Sequence, residues 1–186
     1  MIDWLRSICE GSDRRRYSVA LSFTFGNSKL DGWILLHQTY NLIVKCEETE
    51  FVKSDITPQQ YWVLQAINYL GQYHNAPVTQ KDVAQLLDRN ANSITLIIDR
   101  MEKAGLVQRK RDLPDRRAIR LIITPAGNEA VERAQKPAWE LIQRVLEPLS
   151  EEDMKVCSDL LKRIRATALE YLKPGERVEE AELQNT

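Results

Sequence analysis

The chain has 186 residues, the size of one compact domain or of one domain with helical extensions. Hydrophobic residues make up 43% of it and charged residues 28%, a balance that excludes a disordered chain. With 26 Lys+Arg against 27 Asp+Glu the net charge is −1, so any basic surface has to be local.

No apolar run approaches the roughly 18 residues of a membrane-spanning helix. The early acid Asp3 and the interruptions at Ser18, Ser22 and Thr24 do not fit a signal peptide, so the chain is expected in the cytoplasm and away from membranes. Cys9, Cys46 and Cys157 are odd in number and widely spaced, which argues against a disulfide framework and a thiolate zinc cage. His37 and His74 form no HExxH, and the chain has no GxxxxGK[ST], GxGxxG or GxSxG. No catalytic residue, metal or cofactor is therefore expected.

The first 28 residues precede the recognisable pattern. From Leu30 to Phe51 the apolar residues Leu30, Trp33, Ile34, Tyr40 and Val44 recur at helical spacing. Thr57-Pro58-Gln59-Gln60 then reads as a capping box with proline at the first helical position. The helix it opens has an inner stripe of Val63, Leu64, Ile67 and Leu70, with Gln65 and Asn68 outside, and Gly71 is expected to close it. After a polar loop, Thr79-Gln80-Lys81-Asp82 opens a short helix with Val83, Leu86 and Leu87 facing inward. A third helix runs from about Asn92 to Lys103, burying Ile94, Ile97, Ile98 and Met101, and stops at Gly105.

Two strand-like runs follow, Leu106 to Arg111 and Ala118 to Ile123, separated by the turn Asp112-Leu113-Pro114-Asp115-Arg116. Thr124-Pro125-Ala126-Gly127 starts a long helix in which Pro137 predicts a kink. Ser150-Glu151-Glu152-Asp153 caps the last helix, whose stripe is Cys157, Leu160, Leu161, Ile164 and Ala168. Pro174-Gly175 ends it, and an acidic tail completes the chain.

This order is mainly α with a small β-hairpin, the pattern of a winged helix-turn-helix. Residues 106–124 hold six cations (Arg109, Lys110, Arg111, Arg116, Arg117 and Arg120) against Asp112 and Asp115, a surplus of four on a chain of net −1. A local basic hairpin beside a helix with short polar outward residues is the footprint of a DNA binder.

In Thr57-Pro58-Gln59-Gln60, Thr79 to Ala84, Ile98 to Val107, Asp115-Arg116-Arg117 and Thr124-Pro125-Ala126-Gly127, the sequence resembles the MarR (multiple antibiotic resistance regulator) family of bacterial transcription factors. The resemblance covers roughly residues 30–172. It implies a homodimer on double-stranded DNA, with recognition helices in major grooves and wings at minor grooves. The implied division is an N-terminal extension (1–28), a dimerisation helix (29–55), a winged helix-turn-helix domain (56–124), C-terminal dimerisation helices (125–173) and the acidic tail (174–186).

The DNA contacts that follow from this resemblance are Thr79, Gln80, Lys81, Asn92, Ser93, Thr95, Leu96, Arg100, Arg111, Arg116 and Arg117, with Asp115 holding Arg117 in position. Leu96 stands where many members of the family carry a polar or basic base reader. Arg100 has two readings, a DNA contact or an ion pair with a nearby acid. Trp33, His37 and Tyr40 share one helical face, near Trp62 if the family packing holds. They are core packing on one reading, and on the other a pocket for a small aromatic or anionic effector.

The function that follows is a small-molecule-responsive repressor on a pseudo-palindromic operator. Two alternatives stay open: a winged-helix protein-interaction module, and a cysteine redox switch on the same fold.

Overall fold

The caps read in the sequence start helices in the structure, a computed structural model that describes residues 25–52, 54–73, 76–114 and 118–172. In chain order these are α1 (Ser28–Phe51), α2 (Pro58–Tyr73), α3 (Gln80–Leu86), α4 (Ala91–Lys103), β1 (Val107–Lys110), β2 (Arg120–Ile123), α5 (Pro125–Leu146) and α6 (Glu151–Leu172). The N-terminal residues 1–24 and the tail from 173 onward lie outside the described residues.

The side chain of Asn27 accepts from the amides of Lys29 and Leu30 to start α1. For α2, the Thr57 amide donates to Gln60 Oε1 at 2.8 Å and the Gln60 amide to Thr57 Oγ1 at 3.2 Å, a reciprocal box. Gly71 does not end α2, which continues to Tyr73; a single interior glycine costs only about 1 kcal/mol relative to alanine, and the buried stripe outweighs it. Likewise α5 is continuous through Pro137.

The core gathers the inner faces of α2, α3, α4 and α5 against the hairpin. Leu64, Val83, Ile94, Ile98 and Met101 are fully buried, and on α4 the spacing i, i+4, i+7 puts the last three on one stripe. Leu86 is not part of this core: it is exposed, and Leu87 alone packs against the core from the end of α3.

β1 and β2 form one antiparallel ladder with Val107 opposite Ile123 and Lys110 opposite Arg120. The strands are shorter than the apolar pattern suggests, four residues each. The hairpin is tied back to the head of α3, because the Leu121 amide donates to the Val78 carbonyl at 2.8 Å.

The start of α5 explains Thr124-Pro125-Ala126-Gly127. Thr124 Oγ1 donates toward the Gly105 carbonyl at 2.6 Å and accepts from the Gly127 amide at 3.0 Å. A Cβ on Gly127 would sit 2.1 Å from the Leu106 carbonyl oxygen, so only glycine lets the first turn of α5 meet the wing base.

α1 packs along α5, and Phe51 at its end meets Tyr61 edge-to-face at 5.1 Å. Much of α1 is nonetheless bare, including Leu30, Trp33, Leu35, Tyr40, Leu42 and Ile43. α6 buries no residue; Val156, Leu160, Leu161 and Ile164 are all exposed. Arg165 of α6 reaches Asp88 beyond the end of α3, with Nε and Nη2 each 2.6 Å from Oδ2.

Candidate nucleic-acid interface

Asn90 caps α4, accepting from the Asn92 amide at 2.8 Å. Because Ile94, Ile98 and Met101 fix the inner stripe, Asn92, Ser93, Thr95, Leu96 and Arg100 are left on the solvent side, and all five are exposed. The Thr95 hydroxyl donates to the Ala91 carbonyl at 2.9 Å, which leaves its lone pairs free to accept. Arg100 makes no ion pair with any described residue, and the same holds for the exposed Lys81, Lys110 and Arg111.

A hollow of about 340 Å³ separates the starts of α3 and α4 from the approach to β2, lined by Thr79, Gln80, Lys81, Ala91, Thr95, Ala118 and Ile119. It brings together four of the residues expected to contact DNA. They differ in what they offer. Thr79 is spent on its cap: its amide and hydroxyl both donate to Asp82 Oδ2, at 2.8 and 2.7 Å. Lys81 is exposed, and the buried Nε2 of Gln80 has no hydrogen-bond partner among the described residues.

The wing cations divide in a way that charge counting cannot see. β1 alternates, with Val107 and Arg109 on the inner face and Gln108 and Lys110 on the outer. Arg109, 17% exposed, places Nη1 2.6 Å from Asp99 and 2.9 Å from Glu102, while its amide donates to Glu102 at 3.1 Å. Arg120 is paired with Asp112. Two of the six cations are therefore neutralised at home, and the first of them fastens the wing to α4. The signal available in sequence was the period of two that puts Arg109 on the face of Val107. Asp115, Arg116 and Arg117 at the hairpin tip lie outside the described residues.

Behind α4 a groove of about 250 Å³ opens toward α1. Tyr40, Ile43, Val44 and Glu47 form the α1 wall, Trp62 the α2 wall, and Leu87, Arg89 and Ile97 the side toward the reading helix. Trp62 Nε1 donates to Glu47 Oε1 at 2.9 Å, and Arg89 is an exposed cation without an ion pair among the described residues. Of the four residues expected around an effector, Tyr40 and Trp62 line this groove and Trp33 and His37 do not. Those two meet edge-to-face at 4.8 Å, nearer the start of α1. Trp33 and Tyr40 are 59% and 57% exposed, so core packing within one chain does not account for them. The groove lies further along the same helix: Tyr40, Val44 and Glu47 follow one another by i+4 and i+7 toward the C-terminal half.

Cys46 is exposed on α1, and Cys157 is half-buried on α6; both are free. No described helix is long and apolar enough to cross a membrane.

A two-stranded wing behind a helix-turn-helix whose second helix presents a polar, uncompensated face defines a winged helix-turn-helix DNA-binding protein. Residues 54–118 match the family model described as "MarR family". Over this segment the chain is similar to the MarR family of transcriptional regulators. It is 24% identical over 139 residues to the HTH-type transcriptional regulator MhqR of Bacillus subtilis (strain 168), covering 75% of this chain and 92% of that protein. Its fold is shared with the S. aureus MepR–DNA complex (TM-score 0.65, 22% identity, 78% of this chain and 99% of that one). It is shared too with the organohalide-sensing regulator RdhR in a 2,4-dichlorophenol-bound form (TM-score 0.71, 18% identity, 81% of this chain and 86% of that one).

Proposed function

We propose that the protein is a cytoplasmic, homodimeric repressor that grips a pseudo-palindromic operator and lets go when a small aromatic or anionic effector binds. The observation that carries this reading is the sharing of α4. Its outer face holds Asn92, Ser93, Thr95, Leu96 and Arg100, and its inner side contributes Ile97 to the groove of Tyr40 and Trp62. A ligand that fills the groove therefore touches the element that reads DNA. Function of this kind needs no catalysis; it is a coupling free energy between two sites.

Each DNA residue except Thr79, which is spent on its cap, has a role in this reading. Asn92, Ser93, Thr95, Leu96 and Arg100 face the major groove, and Lys81 and Gln80 face the backbone. Arg111, Arg116 and Arg117 approach the minor groove, where a guanidinium is drawn by the negative potential, with Asp115 steadying Arg117. In the groove, the ring faces of Tyr40 and Trp62 suit an aromatic body and Arg89 suits an acid group. Repression follows if the two heads cover promoter DNA that polymerase needs.

The dimer follows from the bare apolar stripes of α1 and α6, which the DNA-binding head does not cover. We expect an interface above about 2,000 Å². Sedimentation of a stable, folded monomer at micromolar concentration refutes it.

The coupling is tested by fluorescence anisotropy on a duplex selected from random DNA. 2,4-Dichlorophenol and benzoate serve as probes, and tryptophan emission reports occupancy. Probe-driven release from the parent is expected, weakened at least tenfold in Tyr40→Ala and Arg89→Ala with DNA affinity nearly unchanged. Release that is identical in parent and variants excludes this groove. A reporter that rises when the protein is removed, and falls when it is restored, supports repression.

A further inference from the structure

Leu96 is the anomaly of the reading face. It is 60% exposed in the middle of α4, with Asn92 and Ser93 one turn before it and Arg100 one turn after. The inner stripe of the helix is already complete with Ile94, Ile98 and Met101, all fully buried, so Leu96 has no part in the fold. Nor does it line the effector groove, which takes Ile97 from this helix. With α4 in the major groove, what lies against this apolar side chain is a base pair.

The major groove narrows the choice to one base. Guanine offers two acceptors and cytosine a donor, and adenine offers both; a leucine opposite any of these strips water from a polar edge and returns no hydrogen bond. Thymine alone presents an apolar group, its C5 methyl. Asp99, one turn on, is paired through Oδ1 with Arg109 of the wing at 2.6 Å.

We propose that Leu96 is a specificity-determining residue that packs on a thymine methyl, so that each half-site carries a fixed thymine opposite it. This inference rests on the DNA-binding reading above and deepens it.

The test uses the full-length protein and the duplex that it selects from random DNA. Each thymine is replaced in turn by deoxyuridine, which removes one methyl and keeps every hydrogen bond. The parent is expected to lose about fourfold in affinity at one position per half-site, and about fifteenfold when both half-sites are changed, the worth of one buried methyl each. Leu96→Ala, a solvent-exposed truncation that leaves the core intact, is expected to bind thymine and deoxyuridine duplexes equally. With a C·G pair at that position, 5-methylcytosine is expected to bind the parent better than cytosine, a difference that Leu96→Ala abolishes. A parent indifferent to deoxyuridine at every position overturns the proposal and leaves the DNA-binding reading standing. So does a Leu96→Ala protein that keeps the full methyl sensitivity. Failure to enrich any duplex over random DNA overturns both.

Discussion

α4 and α6 are both amphipathic helices, and they are finished in opposite ways. On α4 the apolar stripe of Ile94, Ile98 and Met101 is entirely closed off from solvent, whereas on α6 the stripe of Leu160, Leu161 and Ile164 is about half bare and no residue is buried. The same sequence device thus supports a head that is complete within one chain and an arm that is not. Burying an apolar side chain is worth about 1.5–3 kcal/mol, so the head has gained its share in the monomer and the arm still has it to gain.

Head and arm should answer to different substitutions. Truncating the head should cost most: Ile98→Ala is expected to destabilise by about 2–5 kcal/mol, seen as a lower melting temperature and loss of DNA binding. Charging the arm should leave the head folded. Leu161→Glu combined with Ile164→Lys is expected to weaken self-association by about 100-fold or more, read by sedimentation, with the helical circular dichroism of the head retained. A double variant that still sediments as the parent does would remove α6 from the interface.

A finer cut separates the two kinds of wing cation. Arg109→Ala and Arg117→Ala are both expected to weaken operator binding by about 1–3 kcal/mol. Only the first should also lower the melting temperature, because it leaves Asp99 and Glu102 without their partner. Only the second should act through DNA alone, cutting the salt slope by about one unit if a phosphate contact is lost.

The smallest effect lies at the cap of α6. The Ser150 hydroxyl, and then the Ser150 amide, donate to Asp153 and hold its carboxyl below the ordinary value of 3.8. A depressed carboxylate contributes stability above that value and loses it as the pH falls through the folded one. The start of α6 should therefore fray in acid, a response that Asp153→Asn removes and that amide exchange across residues 151–155 would report.

Most of the architecture was legible because caps and stripes are local. Thr57-Pro58, Thr79 with Asp82, and Thr124-Pro125 each announce a helix by chemistry confined to four residues. Gly71 misled because an interior glycine carries a penalty too small to stop a helix that buries Leu64, Ile67 and Leu70. The candidate site was harder to read, since its arrangement depends on partners distant in sequence. Nothing near Arg109 says that Asp99 and Glu102 will claim it. Similarly, the aromatic face of α1 could be traced, but which half of it meets Trp62 and Ile97 depends on how α1 lies against the head.

The junction at Gly127 has a mechanical consequence. With Thr124 bonded to the wing base and no Cβ between the first turn of α5 and the Leu106 carbonyl, the helix leaves the head without a linker. α5 has 22 residues and so is about 33 Å long at 1.5 Å per residue. In a dimer joined at the far end, a swing of about 10° along such a lever moves the head by roughly 6 Å, while successive base pairs are about 3.4 Å apart. In such a dimer, small rotations at the arms would be geared into shifts of nearly two base steps at the DNA.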